Sequence, residues 1–188
     1  TLWHTLSLHD ALPICLRRLA ITSPSKGCGK SFVALNLAFS IARNPDTRTV
    51  LVDVDFRAPR IAQTLGISVE KGTSDYVSGD VSLETVCHKA SPNLVICPNI
   101  RRIRDSSELL VSDSAIEAIR AIDANLTPDL ILYDLPPMFG CDDTLSFLPN
   151  VDAVVLIARG GLTTAADLTE CEHLLEGGPL YLGVVLND

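Results

Sequence analysis

Three groups of residues in this sequence have the types and spacing to handle phosphate. The first is the stretch Ile21-Thr22-Ser23-Pro24-Ser25-Lys26-Gly27-Cys28-Gly29-Lys30-Ser31. An apolar run, Leu19 to Ile21, enters a small polar loop, and a long apolar segment, Phe32 to Ile41, leaves it with helical spacing. Strand, glycine-bearing loop and helix in that order make a phosphate-binding P-loop. The first N–H groups of a helix have no partner inside it and can face an anion. Gly27 and Gly29 let the backbone approach without a Cβ in the way. Lys30 brings positive charge to the outer phosphates, and the Ser31 hydroxyl suits magnesium. Pro24 stands where the common pattern opens with glycine, which removes one N–H.

The second group is Asp53 and Asp55, at the end of the run Val50-Leu51-Val52. Two residues apart on an extended chain, they face the same side. Two such carboxylates repel unless a cation or proton lies near them. In isolation the pair reads equally well as a helix cap and a turn residue. Beside a P-loop it reads as part of a site at the carboxyl end of a strand. The third group is Asp134, delivered by the apolar run Leu130 to Tyr133 and followed by Pro136 and Pro137, which end strand pairing. It has the form of a Walker B aspartate, the residue that holds magnesium.

The elements that must position these groups follow from the apolar pattern. Short strands are expected at Val50–Val52, Asn93–Cys97, Asp129–Asp134, Val151–Ala158 and Leu180–Leu186, besides the one before the P-loop. Helices are expected at Ile61–Leu65 (stopped near Gly66), Ser106 to about Ala124 with Ser106 as N-cap, a start at Asp142–Thr144, and Thr163–Leu175. Residues Gly72 to Leu83 read as loop with one helical turn. Arg101, Arg102 and Arg104 read as a solvated loop or as a contact with nucleotide or a neighbouring subunit. The alternation predicts an α/β fold: a mostly parallel sheet with helices on both faces.

The chain has 188 residues, 47% of them apolar and 20% charged, which fits one packed domain and not a disordered one. The net charge of −8 argues against a broad nucleic-acid surface. Six cysteines are scattered with no Cys-x-x-Cys pair, so free thiols in a reducing compartment are expected and a zinc site is not. No apolar stretch is long enough to span a membrane. Residues 1–15 do not match the rest of the chain and read as extraneous or disordered sequence; residues 16–188 read as a single P-loop nucleotide-binding domain, truncated at its C-terminus.

Taken together, Gly27-Cys28-Gly29-Lys30-Ser31, Leu51-Val52-Asp53-Val54-Asp55-Phe56-Arg57-Ala58-Pro59, Ser107-Glu108-Leu109-Leu110, Asp134-Leu135-Pro136-Pro137 and Gly183-Val184-Val185-Leu186-Asn187 resemble the bacterial tyrosine kinases (BY-kinases) of capsule and exopolysaccharide synthesis. These are relatives of the MinD and ParA ATPases. The resemblance covers about residues 18–188, and its most specific part is the Asp-x-Asp-x-Arg-x-Pro ending, a second Walker-type motif (Walker A′).

The resemblance implies ATP and magnesium as cofactors, with Lys26, Gly27, Cys28, Gly29, Lys30, Ser31 and Phe32 as the nucleotide loop and Asn187 reading the adenine edge. It implies Lys30, Asp53, Asp55 and Asp134 as the catalytic set, with Asp53 orienting or deprotonating a tyrosine hydroxyl. Ser31, Asp55 and Asp134 would serve the metal. It further implies a cytoplasmic homo-oligomer held at the inner face of the membrane by a polysaccharide co-polymerase that activates it. The sequence departs from the pattern at Ser25, where MinD and ParA proteins carry a signature lysine. It also lacks a recognisable arginine-rich helix before the P-loop and a tyrosine cluster. A MinD/ParA-type positioning ATPase and a non-catalytic nucleotide-dependent regulator are the alternative readings.

Overall fold

A computed structural model describes residues 16–188; the expectation for residues 1–15 lies outside the described residues. Among the described residues, seven strands form one sheet in the order β3-β4-β2-β5-β1-β6-β7. They are β1 (Arg18–Thr22), β2 (Thr49–Asp53), β3 (His88–Ser91), β4 (Leu94–Cys97), β5 (Leu130–Asp134), β6 (Ala153–Arg159) and β7 (Leu180–Asn187). All neighbours pair in parallel except β3 with β4. The connecting α-helices are α1 (Lys30–Ile41), α2 (Ile61–Leu65), α3 (Thr73–Val77), α4 (Leu83–Val86), α5 (Ser106–Leu110), α6 (Asp113–Leu126), α7 (Asp143–Phe147) and α8 (Ala165–Leu175). None of them is long and apolar enough to cross a membrane.

Side chains alternate across each strand, so the sheet feeds two cores. On one face Ile21, Leu51, Leu132 and Ile157 meet Ala34, Leu35 and Ala38 of α1 and Ile61 of α2. On the other, Ala20, Val50, Val52, Ile131 and Val154 meet residues of α3 to α8, among them Val77, Val86, Leu110, Ile119, Ile122, Phe147 and Cys171. Central strands buried on both faces need continuous apolar runs, which is what β2 and β5 carry. The expected doubly covered, mostly parallel sheet is therefore the observed one.

The register decides the site. Asp53 lies directly opposite Asp134 on the β2–β5 pair, and Ile21 lies opposite Asp134 on the β1–β5 pair. The ends of β1, β2 and β5 thus deliver the P-loop and both aspartate segments to one edge. This is the carboxyl edge of the sheet, beside the point where strand order reverses around β1, the usual ligand crevice of open α/β sheets.

Three expectations change. The helix expected from Ser106 onward is two helices: the Ser112 side chain accepts a hydrogen bond from Ala115 N–H and starts α6 as a new N-cap. Ser106 is the first residue of α5, not its cap, and its hydroxyl goes elsewhere. The segment from Gly72 holds two short helices, α3 and α4, and α3 is buried. Its polar groups are matched: Thr73 N–H donates to the Pro98 carbonyl, and the Ser74 hydroxyl donates to the Asn99 side chain. The antiparallel edge strand β3, His-Lys-Ala-Ser, has no apolar periodicity to mark it.

Candidate active site

The loop from Ser23 to Gly29 wraps the N-terminus of α1. Gly27 and Gly29 both adopt left-handed conformations, φ +88° and +82°. Gly29 is constrained twice, since a Cβ there would also sit 2.2 Å from Asn187 Nδ2. Asn187 Nδ2 donates to the Cys28 carbonyl at 3.0 Å, and Arg159 Nη1 donates to the Gly27 carbonyl at 3.0 Å. The tips of β6 and β7 therefore hold the back of the loop. Its entry is pinned to the exit of β5: Thr22 Oγ1 donates to the Pro136 carbonyl at 2.6 Å, and Phe139 N–H donates to the Pro24 carbonyl at 3.0 Å. Pro24, which has no N–H to offer, contributes its carbonyl to this link.

Opposite the loop, Lys30 Nζ lies 2.6 Å from Asp55 Oδ2. Burial disfavours the ammonium, but Asp134 and Asp55 outweigh it and raise the Lys30 pKa. Asp55 Oδ1 accepts from Ala58 N–H at 2.9 Å, which curls the chain after β2. Asp53 is fully buried and accepts from Asp55 N–H and Ile61 N–H. Burial, then Asp134 and Asp55, push its pKa well above the usual carboxylate range. Asp134 is also fully buried, and neither carboxylate oxygen has a hydrogen-bond partner. Burial pushes it up to about 6, against the pull of Lys30 and of the nearby Ser31 hydroxyl.

A buried carboxylate with both oxygens unpartnered is costly unless something cationic completes it. Among the described residues no three His, Cys, Asp or Glu side chains group as a ready-made metal cage. That donor set fits magnesium, which keeps several waters and takes only one or two protein oxygens alongside phosphate. Asp134 and the Ser31 hydroxyl are placed so that they could serve as those oxygens.

A cleft of about 570 Å³ opens between these walls. Of the residues singled out in the sequence, Lys26, Gly27, Gly29, Lys30, Ser31, Phe32 and Asp55 line it. Cys28, Asp53, Asp134 and Asn187 do not. The Cys28 side chain is buried, with Ser25 and Thr163 hydroxyls near its sulfur, because the turn that exposes the backbone N–H groups points it into the core. Asp53 does not reach the cleft as Asp55 does: β2 ends at Asp53, and its carboxylate is taken by the backbone N–H groups of Asp55 and Ile61.

No family model matches the chain. It is 30% identical over 175 residues to the tyrosine-protein kinase CpsD of Streptococcus agalactiae, an alignment covering 90% of this chain and 74% of that protein. The chain belongs to the bacterial tyrosine-kinase family. It is 32% identical over 171 residues to the putative tyrosine-protein kinase EpsB of Ralstonia nicotianae, covering 90% of this chain but only 22% of EpsB. The bacterial tyrosine-kinase fold is matched in a solved structure as well. The kinase domain of Escherichia coli Etk superposes with a TM-score of 0.83 at 28% identity, covering 94% of this chain and 69% of that one.

Against this family background, one part of the cleft escaped the sequence reading. Arg57, in the Walker A′ segment, lines the cleft and grips Asp143 of α7: Nε lies 3.0 Å from Oδ1 and 3.1 Å from Oδ2, and Nη2 2.9 Å from Oδ1. Ser106, at the start of the Ser-Glu-Leu-Leu helix, donates to the same carboxylate. The signal in the sequence was the family motif itself; Asp143 read only as a helix opener.

Proposed function

We propose that this chain binds ATP with magnesium and transfers the γ-phosphoryl group to a tyrosine hydroxyl of a protein. Following the family, the setting is the inner face of the bacterial membrane, where the chain works in the cytoplasm as a homo-oligomer. A membrane-embedded polysaccharide co-polymerase activates it there, in the control of capsule or exopolysaccharide synthesis. The observation that carries the reading is Asp134: fully buried, unpartnered and beside the P-loop residues Lys30 and Ser31.

The roles follow from placement. Backbone N–H groups from Gly27 to Ser31 receive the phosphates, and Lys30 neutralises the outer ones. Ser31 and Asp134 hold magnesium, with Asp55 on the same side. Magnesium, when bound, supplies charge neutralisation between the outer phosphates. Asp55 releases Lys30 as phosphate arrives, since both compete for one ammonium. Asp53, whose raised affinity for a proton suits the group that takes one from the tyrosine hydroxyl, is the base in this reading. Asn187 braces the loop through the Cys28 carbonyl; reading the adenine edge, as the family resemblance implies, would require the base to reach the tip of β7 beyond the cleft. Phosphoryl transfer depends chiefly on such placement and charge balance.

The test has two parts. Calorimetry with ATP and magnesium should show Lys30→Ala losing a charge-assisted contact of roughly 1.5–3 kcal/mol; unchanged affinity would mean the phosphate site lies elsewhere. Incubation with labelled ATP, a tyrosine-rich peptide and an activating cytoplasmic segment should then place label on tyrosine. Release of inorganic phosphate alone would make the chain an ATPase of the MinD type.

A further inference from the structure

Cys87 and Cys97 are ten residues apart in the sequence and touch in the fold. Cys87 follows α4 and Cys97 ends β4. The antiparallel register sets His88 against Ile96, so the next residues outward, Cys87 and Cys97, stand opposite each other. Their sulfurs are 3.3 Å apart, and neither is in a disulfide. A disulfide bond is about 2.05 Å long, so closure needs a shift of only ~1 Å. Of the other described cysteines, Cys28 faces two hydroxyls and Cys141 faces the Pro137 carbonyl.

The two sulfurs differ in access. Cys97 is fully buried and Cys87 is half-buried. The hydrogen bond between the two sulfurs holds the Cys87 thiol below its ordinary range, against burial and Glu84. The same hydrogen bond, with burial, pushes Cys97 well up. A half-buried sulfur in contact with a fully buried second thiol is the arrangement of a redox-sensitive pair.

We propose that Cys87 and Cys97 form a reversible thiol–disulfide modification site, closed by a peroxide and reopened by a dithiol. The Cys87 thiolate attacks one peroxide oxygen. The O–O bond breaks, hydroxide leaves and takes up a proton, and Cys87 becomes a sulfenic acid. Cys97 sulfur then attacks Cys87 sulfur, its proton passing to the departing oxygen, and a second water leaves. Two thiols lose two electrons in all, and one peroxide becomes two waters. The bridge would tie the end of α4 to the strand that anchors α3, because the Cys97 carbonyl accepts from Thr73 Oγ1 at 2.8 Å.

The experiment is brief hydrogen peroxide treatment of the folded chain, alkylation of remaining thiols, digestion and mass spectrometry. The expected product is one linked peptide pair, Cys87 to Cys97, two hydrogens lighter and reversed by dithiothreitol. In Cys97→Ser the same treatment should leave Cys87 as a sulfenic acid captured by dimedone. In Cys87→Ser, residue 97 should stay unmodified. Linkage to any other cysteine, Cys15 and Cys141 included, would overturn the proposal. So would oxidation of Cys87 to the sulfinic acid with no linked pair, or a pair that forms only in denaturant. The unsubstituted chain decides the matter even where a serine variant folds poorly.

Discussion

The ammonium of Lys30 and the carboxylate of Asp55 are joined at 2.6 Å, with their side chains only 12% and 2% exposed. Little water screens the pair, so its partners are strongly coupled. Any phosphate that takes Lys30 must displace Asp55. In EDTA, Asp55→Asn should therefore bind ATP several-fold more tightly than the unsubstituted chain. It should also gain less when magnesium is added. Calorimetry with and without magnesium reads both quantities, and weaker metal-free binding would contradict the competition.

Asp53 and Asp134 face each other across β2 and β5 but should fail differently. Asp53→Asn is expected to spare ATP binding and slow phosphoryl transfer. Asp134→Asn is expected to flatten the response to magnesium. Magnesium titrations followed by single-turnover measurements separate the two, and matching phenotypes would remove the division of roles.

The acidic cluster should leave a mark on stability in metal-free buffer. Asp134 is pushed up to about 6, above the ordinary aspartate value of 3.8, so the folded state holds its proton to higher pH than the unfolded state. Where the folded state binds more protons, stability falls as pH rises. Asp134's share of the loss should run between about pH 4 and pH 6 and amount to something on the order of 3 kcal/mol, with Asp53, also raised, adding a loss of the same sign. Urea unfolding in EDTA should show this decline. Asp134→Asn should remove Asp134's share of it, and magnesium should offset it at pH 7.

The Arg57–Asp143 pair is asymmetric: the Arg57 side chain is 34% exposed and that of Asp143 is 0% exposed. Arg57→Ala strands a buried carboxylate and should cost about 3–5 kcal/mol. Asp143→Asn leaves an arginine that can reach water and keeps an oxygen for it, so the cost should be about 1–2 kcal/mol. Denaturation midpoints check the order. A reversed order would mean that Arg57, not Asp143, is the sealed partner.

None of the three tyrosines offers its hydroxyl to an incoming phosphate. Tyr133 is fully buried, Tyr76 donates to the Ala118 carbonyl at 2.8 Å, and the Tyr181 hydroxyl is buried without a partner. Incubated alone with labelled ATP and magnesium, the chain should stay essentially unlabelled while binding nucleotide. Strong labelling would require one of these side chains to leave its core.

Much of this protein is legible in its residues because the signals are local. Gly27-Cys28-Gly29-Lys30-Ser31 marks strand, loop and helix by glycine freedom and by the lysine–serine pair that opens α1. The apolar runs at β2, β5 and β6 mark strands covered on both faces. Helix α2 ends where Gly66 stands, because that turn needs a left-handed residue. The break at Ser112 was hidden because α5 and α6 share one apolar period, and only a side-chain cap separates them. Strand β3 was hidden because edge pairing asks little of side chains.

Residue types and their spacing already set the chemistry on offer: a phosphate loop, three carboxylates and the strands that carry them to one edge. Those signals depend only on neighbours in the chain. Which of the groups meet was settled by the packed fold. Lys30 takes Asp55 and not Asp53, Asp143 closes on Arg57 across 86 positions, and Cys87 finds Cys97. Such pairings are set by strand register and by how the chain turns after β2, and both depend on packing of the whole sheet, which no single stretch encodes.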